Sequence, residues 1–135
     1  MLKKFYVTAL SIILIMFLTI LNNPPAFFSY SQSRTVYTGT SSTSVFEEYS
    51  QYAVVNKAKG ESCVLPISEF NLDEIIKYFC AEKVITERIN GTVSYYFISP
   101  KLKTCENIKG KKVNLHIAIN NEYAVLGTPI IYGGY

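Results

Sequence analysis

The stretch of sequence that decides the fold reads VITERINGTVSYYFI, residues 84–98. Two runs rich in β-branched and aromatic residues flank the dipeptide Asn90-Gly91, a pattern typical of a β-hairpin. Both central residues of a type I′ turn need a positive φ, which Asn and Gly adopt most readily. With Thr92 the dipeptide also forms a glycosylation sequon, but the turn explains the first two residues without it. The sequence therefore predicts a hairpin with its turn at Asn90-Gly91.

Two further apolar runs, residues 113–119 and 123–126, follow the hairpin and are separated by a short polar stretch. In the first of them Val, Leu and Ile alternate with polar or small residues, so one face of that strand should be apolar and the other polar. We expect these runs and the hairpin to form an antiparallel meander. Residues 127–129, Gly-Thr-Pro, break the last run, and its continuation at residues 130–131 beyond a bulge stays open.

Two helices are predicted to pack on this sheet. The first, residues 44–57, begins with the capping-box spacing of Ser44 and Glu47 and continues with an aromatic stripe. The second, of about ten residues, follows Asn71, a favourable N-cap, and has one apolar face. Between the helices, residues 63–65 form a brief strand, which the proline after it would confine to a sheet edge. The predicted fold is α+β, an antiparallel sheet of four or five strands with one or two helices on one face.

The N-terminal part has the pattern of an export signal. Lys3 and Lys4 precede an apolar run, residues 5–21, and two prolines follow it. The run reaches the lower end of the roughly 17–25 residues that span a bilayer, so a cleaved signal peptide and an uncleaved membrane anchor both stay open. The positive-inside rule then puts the C-terminus outside. We expect a secreted or membrane-anchored protein with a signal or anchor at 1–31, a Ser/Thr-rich linker at 32–43 and a small α+β domain at 44–135.

The charge of the chain is unevenly distributed. The whole chain has 13 basic and 10 acidic residues, but removal of Lys3 and Lys4 leaves a net charge of only +1, which weakens any argument for bulk polyanion binding. Residues 99–112 nevertheless hold five lysines and a single glutamate. This basic loop is a candidate contact for an anionic partner, although a merely solvated loop explains it as well. Its lysines are Lys101, Lys103, Lys109, Lys111 and Lys112.

A second candidate surface is the polar face of the sheet, with Tyr96, Ile98 and His116. This face is either an exposed patch used by a partner or is covered by the helix at 44–57. His116 is the only histidine, and no Ser, Cys or carboxylate is placed to complete a triad with it, so we expect a solvent-facing strand residue. We therefore expect no catalysis and no cofactor.

Three cysteines, Cys63, Cys80 and Cys105, are an odd number for an oxidising compartment. Their spacing matches no zinc motif. One disulfide with a free thiol left over, three free buried thiols, and an intermolecular disulfide all stay open.

The order of motifs over residues 72–135 resembles the YwmB-like proteins, small exported proteins of spore-forming Gram-positive bacteria. The resemblance is carried by a helix followed by the segments RING, YYFISP, GKKVNLHIAI and LGTPIIYGGY. It implies an α+β fold likened to that of the TATA-binding protein, and it brings no catalytic residues.

These observations predict a non-catalytic extracytoplasmic interaction module of the cell envelope. Its partner would be an anionic envelope polymer or another exported protein, with membrane contact through the N-terminal segment if that segment is not cleaved. The alternative is a nucleic-acid-binding domain with a fold like that of the TATA-binding protein. The export signal argues against this alternative, and a shared fold does not confer DNA binding.

Overall fold

The computed structural model describes residues 1–22, 33–38, 46–50 and 58–132. The described part contains two α-helices, nine strands and a short 3₁₀ turn at Ile67–Glu69. The helices are α1 (Leu2–Asn22) and α2 (Leu72–Phe79). The strands are β1 (Ser33–Tyr37), β2 (Phe46–Ser50), β3 (Gly60–Pro66), β4 (Glu82–Ile89), β5 (Thr92–Ile98), β6 (Glu106–Ile108), β7 (Lys111–Val113), β8 (Leu115–Ile119) and β9 (Tyr123–Thr128).

Seven of the strands form one antiparallel sheet in the order β2-β1-β3-β9-β8-β5-β4, and β6 and β7 form a separate two-stranded hairpin. The α+β fold with an N-terminal helix is confirmed. The predicted meander is confirmed as well, since β4, β5, β8 and β9 lie side by side in this order in the sheet. The sheet is larger than the four or five strands expected because β1 and β2 extend it beyond β3.

The hairpin of β4 and β5 has the turn that its sequence predicts. Asn90 has φ 49° and Gly91 has φ 80°, and Ile89 lies opposite Thr92, so the connection has two residues. A second hairpin of the same kind was not predicted. It joins β6 to β7 through Lys109 (φ 52°) and Gly110 (φ 80°).

Helix α2 forms where the sequence predicts it. The side-chain oxygen of Asn71 accepts a hydrogen bond from the backbone N–H of Glu74 (3.3 Å), which satisfies one of the free donors of the first turn. Cys80 ends the helix in the left-handed conformation. Ile75 and Phe79 are its buried side chains, and they pack on the sheet.

The first face of the sheet is the one that α2 covers. Its buried cluster joins Ile75 and Phe79 to apolar side chains of β3, β5, β8 and β9. Burial of such side chains is worth about 1.5–3 kcal/mol each, which is what holds so short a helix in place. The sheet residues of this cluster are Cys63, Leu65, Phe97, Leu115, Ile117, Ala124 and Leu126.

The second face of the sheet is covered by a different kind of structure. Ile131, in the C-terminal segment (residues 129–132), packs on Ala118 and Val125. Tyr132 stacks edge-on against Tyr37 of β1, with ring centroids 5.3 Å apart. The β6–β7 hairpin lies beside this segment, because the Tyr132 hydroxyl donates to the Glu106 carboxylate of β6. No helix takes part in this cover among the described residues.

The predicted helix at 44–57 is wrong where the structure describes it, because Phe46–Ser50 is strand β2. Residues 44–45 and 51–57 of that prediction lie outside the described residues. The capping-box spacing is a weak local preference, whereas β2 gains a full antiparallel ladder with β1, from Ser33 opposite Ser50 to Tyr37 opposite Phe46. Such tertiary pairing routinely overrides local propensity. Gly60, which follows the predicted helix in sequence, begins β3.

The predicted linker at 32–43 is wrong at Ser33–Tyr37, which is strand β1. Val36 and Tyr37 are buried, and the Tyr37 hydroxyl shares a hydrogen bond with Ser62 (2.9 Å), so this part belongs to the domain. The addition of β1 also corrects the expectation that the strand at residues 63–65 lies at an edge. β3 is an inner strand between β1 and β9, and Pro66 is tolerated because it is its last residue.

Helix α1 does not belong to either cluster. Its described large apolar side chains, Phe5, Leu10 and Ile15 among them, are exposed. These residues therefore do not form a buried helix of the domain. Within the described residues, the structure contains no helix with the length and apolarity needed to cross a membrane.

Candidate interaction surface

The basic loop becomes two connected pieces in the structure. Lys101 and Lys103 lie in the connection after β5, whereas Lys111 and Lys112 lie on β7, and Lys109 is in the turn between β6 and β7. All five lysines are exposed. The connection that follows β5 and the end of the β6–β7 hairpin lie next to each other, at the point where β7 ends and β8 begins.

Asn114 holds these two pieces together. It lies between β7 and β8, is 1% exposed, and its backbone N–H donates to the Phe97 carbonyl (2.9 Å). Its side-chain oxygen accepts from the Ser99 N–H (2.7 Å), and its side-chain nitrogen donates to the carbonyls of Ser99 (2.8 Å) and Leu102 (2.9 Å). Because Asn114 fixes the connection that carries Lys101 and Lys103 beside the strand that carries Lys111 and Lys112, the lysines belong to one ordered region.

Two of the five lysines have partners inside the domain. The Lys101 ammonium donates to the backbone carbonyl of Tyr78 and lies 4.7 Å from the centroid of the Tyr78 ring, a cation–π contact at the C-terminal end of α2. Lys109 forms an ion pair with Glu87 of β4. These two lysines attach the region to the rest of the fold, and are less available to an external partner.

Glu87 receives a second contact from the sheet. The Tyr96 hydroxyl donates to its carboxylate (3.3 Å). The hydrogen bond from Lys109 is the main cause that lowers the pKa of the Glu87 carboxyl, with help from the Lys109 charge and the Tyr96 hydroxyl and against the effect of burial. Glu87 is therefore ionised at neutral pH and links the turn of the β6–β7 hairpin to the sheet.

The other three lysines, Lys103, Lys111 and Lys112, are exposed, and no ion pair of theirs is present among the described residues. Lys112 lies opposite Asn107 in the two-stranded ladder, and Lys111 lies opposite Ile108. The candidate anionic contact therefore narrows from five lysines to these three, which we call the basic surface. As neighbours on β7, Lys111 and Lys112 extend from opposite faces of the hairpin.

The predicted exposed sheet face is wrong at two of its three residues. Tyr96 is 8% exposed and His116 is 2% exposed, while Ile98 is half-buried. The Tyr96 and His116 rings stack on each other with centroids 4.2 Å apart. Alternation along β8 separated the two faces as predicted, but it carried no information about what covers the second face.

The C-terminal segment supplies that cover. The Ile131 backbone N–H donates to Nδ1 of His116 (3.2 Å), and the Tyr132 hydroxyl donates to the Glu106 carboxylate on β6 (3.3 Å). Burial, followed by the nearby Glu106 charge, raises the pKa of Tyr132 to about 12, so this hydroxyl keeps its proton at neutral pH. The segment is thus tied to β8 on one side and to the β6–β7 hairpin on the other.

These contacts define the chemistry of His116. Nδ1 accepts a hydrogen bond, so the ring is neutral and its proton is assigned to Nε2. Burial lowers the pKa of His116 to about 4, against the opposing effect of the Glu87 carboxylate. A ring that is buried, stacked and bonded to a backbone amide serves as a structural residue, and the expectation that it faces solvent is wrong.

The three cysteines are free thiols in the structure. Cys63 is buried on the first face, and burial, helped by Glu61, raises its pKa to about 12, which keeps it protonated and unreactive. Cys80 and Cys105 are exposed, so the option of three free buried thiols holds only for Cys63. Among the described residues, no group of three or more His, Cys, Asp or Glu side chains is arranged to hold a metal ion.

Sequence reasoning missed the residues that organise the region. Asn114 fits the alternation of residues 113–119, so its type and position carry no local sign that the run is two strands rather than one. Lys109-Gly110 is a weaker hairpin signal than Asn90-Gly91, because Lys adopts positive φ less readily than Asn.

Comparison of this protein with protein-family models gives no match, and comparisons with curated proteins and with solved structures give none either.

Proposed function

We propose that the folded part of this protein is a non-catalytic interaction module of the cell envelope, located outside the membrane, which binds an anionic partner through the basic surface. The observation that carries the proposal is the arrangement of Lys103, Lys111 and Lys112. All three are exposed on an ordered loop and hairpin, whereas Lys101 and Lys109 have partners within the domain.

The order of the region matters for binding. A mobile lysine loop loses backbone entropy when it binds, whereas a hairpin already fixed by hydrogen bonds does not. Here Asn114 fixes the loop, and the Lys109–Glu87 and Tyr132–Glu106 contacts fix the hairpin. The lysines therefore lose mainly side-chain freedom when they meet an anion.

The partner suited to this surface carries repeated phosphate or carboxylate groups. Lysine ammonium groups act as compact point charges without the fork geometry of arginine, so they suit a flexible polyanion better than one planar carboxylate. Wall polymers and anionic phospholipid headgroups share this chemistry. Because the exported part has a net charge near +1, attraction should be local and strongly reduced by salt.

The N-terminal part supports a location outside the membrane. Lys3 and Lys4 precede an apolar helix whose described side chains are exposed rather than packed in either cluster. A helix of this composition that contributes nothing to the core is expected of a targeting segment. The resemblance to exported YwmB-like proteins agrees with this proposal, and cleaved and anchored forms are both compatible with it.

The test is a charge reversal at Lys111 and Lys112, both replaced with Glu. Lys59→Glu with Lys77→Glu makes the same change in net charge at exposed positions of the connection before β3 and of α2, and is the matched control. Co-sedimentation with purified cell-wall material and with vesicles containing anionic phospholipid, at low and at physiological salt, measures binding. Unfolding curves establish that each variant folds.

We expect the Lys111/Lys112 variant to lose most of its binding to wall material and anionic vesicles. The control variant should keep most of this binding. Each lysine near an anionic lipid surface contributes about 1 kcal/mol, so reversal of two should weaken binding at least about tenfold. Equal loss in both variants would show a response to net charge alone and would contradict the proposal. Unchanged binding in the Lys111/Lys112 variant would contradict it as well.

A further inference from the structure

The turn between β4 and β5 presents an asparagine side chain to solvent next to an unhindered backbone amide. Asn90 is exposed, and no hydrogen bond of its side chain is present among the described residues. Ile89 lies opposite Thr92 at the end of the ladder, which leaves the Gly91 N–H as one of the two loop amides outside it. Space around Gly91 is open, since a Cβ added there would meet nothing within 4 Å.

We propose that Asn90 is a site of spontaneous covalent modification, at which the folded protein converts to aspartate and isoaspartate. The Gly91 nitrogen attacks the carbonyl carbon of the Asn90 side chain and forms a new bond to it. The bond from that carbon to the side-chain nitrogen breaks, and this nitrogen takes the Gly91 proton and leaves as ammonia. Water then adds to either carbonyl of the resulting five-membered ring, which gives an ordinary aspartate or a backbone that runs through the side chain. Water is the only co-reactant, and nothing is oxidised or reduced.

The other asparagines of residues 58–132 lack this combination of features. Asn114 is buried, and its side-chain oxygen and nitrogen are both hydrogen-bonded. The side-chain oxygens of Asn71 and Asn120 accept hydrogen bonds from backbone N–H groups. Asn107 and Asn121 are exposed, but Ile and Glu follow them, and these side chains hinder the approach of the backbone nitrogen. Asn90 alone among them is exposed and precedes glycine.

The shape of the turn region favours access by water. Residues 88–93 line an open depression of about 300 Å³ around the turn, so the ring intermediate can be hydrolysed where it forms. This access exists in the folded protein and needs no unfolding of the sheet.

The modification has a structural consequence at the edge of the sheet. The isoaspartate form adds an atom to the backbone of a turn that has only two residues, so Ile89 and Thr92 no longer match in register. Strand β4 is an edge strand held in the sheet by β5 alone. The hairpin end should therefore fray after modification, and exchange of its amide protons should become faster.

The test uses the full-length protein, incubated folded at mildly alkaline pH in water enriched in heavy oxygen. Proteolysis and mass spectrometry then measure the incorporation of heavy oxygen at each asparagine over time. The Asn90→Asp protein is the standard for the aspartate product. We expect Asn90 to gain the heavy-oxygen label at least about tenfold faster than Asn107 and Asn121, the ratio that a barrier lower by about 1.4 kcal/mol gives. The isoaspartate product should be present beside the aspartate.

A second incubation in denaturant separates turn chemistry from folding. The proposal predicts that the folded protein reacts at Asn90 within about tenfold of the unfolded protein, a barrier difference of about 1.4 kcal/mol. Labelling of Asn90 in the folded protein at or below the rate of Asn107 would overturn the proposal. Reaction at Asn90 only after unfolding would overturn it too, because the turn would then protect the site.

Discussion

The first face of the sheet packs against α2 through aliphatic and aromatic side chains. The second face has a smaller apolar cluster, and the C-terminal segment and the β6–β7 hairpin close it with polar contacts as well. On the first face Phe97, Leu115 and Ile117 are all at most 1% exposed and belong to one apolar cluster without directional bonds. On the second face Tyr96 and His116 are nearly as well buried, but each uses a specific polar partner.

This difference separates two ways to build a small fold. The first face depends on the amount of apolar surface removed from water, which does not change with the protonation of any group. The second face depends also on the ionisation states of Glu87 and His116, because a protonated ring at His116 no longer accepts a bond from Ile131. The protein should therefore respond to truncation on the first face and to solution conditions on the second.

The largest effect should come from truncation on the first face. Phe97→Ala removes a ring that is 1% exposed and leaves a cavity between α2 and the sheet. We expect a loss of about 3–5 kcal/mol in the free energy of unfolding. Denaturant unfolding measures it, with Ile89→Ala at a 65% exposed position of β4 as the control, expected to change stability by about 0.5 kcal/mol or less. A loss below that of the control would break the comparison between the two faces.

A smaller effect should follow acidification, through His116 on the second face. Its pKa is about 4 in the folded protein, against 6.5 for a freely exposed histidine, so the unfolded protein takes up the proton first as the pH falls. Stability that is fully present above pH 6.5 is then lost between pH 6.5 and about 4, by about 3 kcal/mol in total. Denaturant unfolding at a series of pH values measures this loss.

The control for this prediction is His116→Asn, which keeps a side-chain acceptor for the Ile131 amide but does not titrate. The Glu87 carboxylate, whose pKa is lowered, also loses stabilising charge in acid, and it does so in both proteins. The difference between the two profiles of unfolding free energy against pH therefore gives the contribution of His116. Parallel profiles for the two proteins would contradict the structural account of His116.

The smallest effect should come from the exposed ion pair at the edge of the second face. The Lys109 side chain is 70% exposed, so Lys109→Gln should cost about 1 kcal/mol at most, and less at high salt. Lys103→Gln, at an exposed position that forms no ion pair within the described region, is the matched control. A loss comparable to that of Phe97→Ala would mean that the ion pair, rather than the buried polar contacts, holds the hairpin in place.

Local signals explain what the sequence allowed us to predict. The Asn90-Gly91 turn, the Asn71 cap and the alternation in β8 depend on residues close together in sequence, and the structure confirms each of them. The α+β class follows from the same signals. These features needed no information about distant partners.

Long-range pairing explains what could not be predicted. β1 has five residues and no strong pattern, and it becomes a strand because β2 and β3 supply partners on both sides. The burial of His116 likewise depends on the C-terminal segment, whose Ile131 follows the sheet in sequence and donates a backbone hydrogen bond to the ring. For this reason the predicted contact surface, a sheet face and five lysines, is replaced by three exposed lysines on an ordered region.

The most direct test of a closed, polar second face is an NMR titration of His116, which is the only histidine of the protein. Nitrogen chemical shifts report the tautomer and the pKa of the ring, and amide exchange reports the Ile131 N–H. The structure predicts a neutral ring at neutral pH with its proton on Nε2, a midpoint near 4, and a protected Ile131 amide. A midpoint near 6.5 together with rapid exchange at Ile131 would contradict it, because the second face would then be open to water.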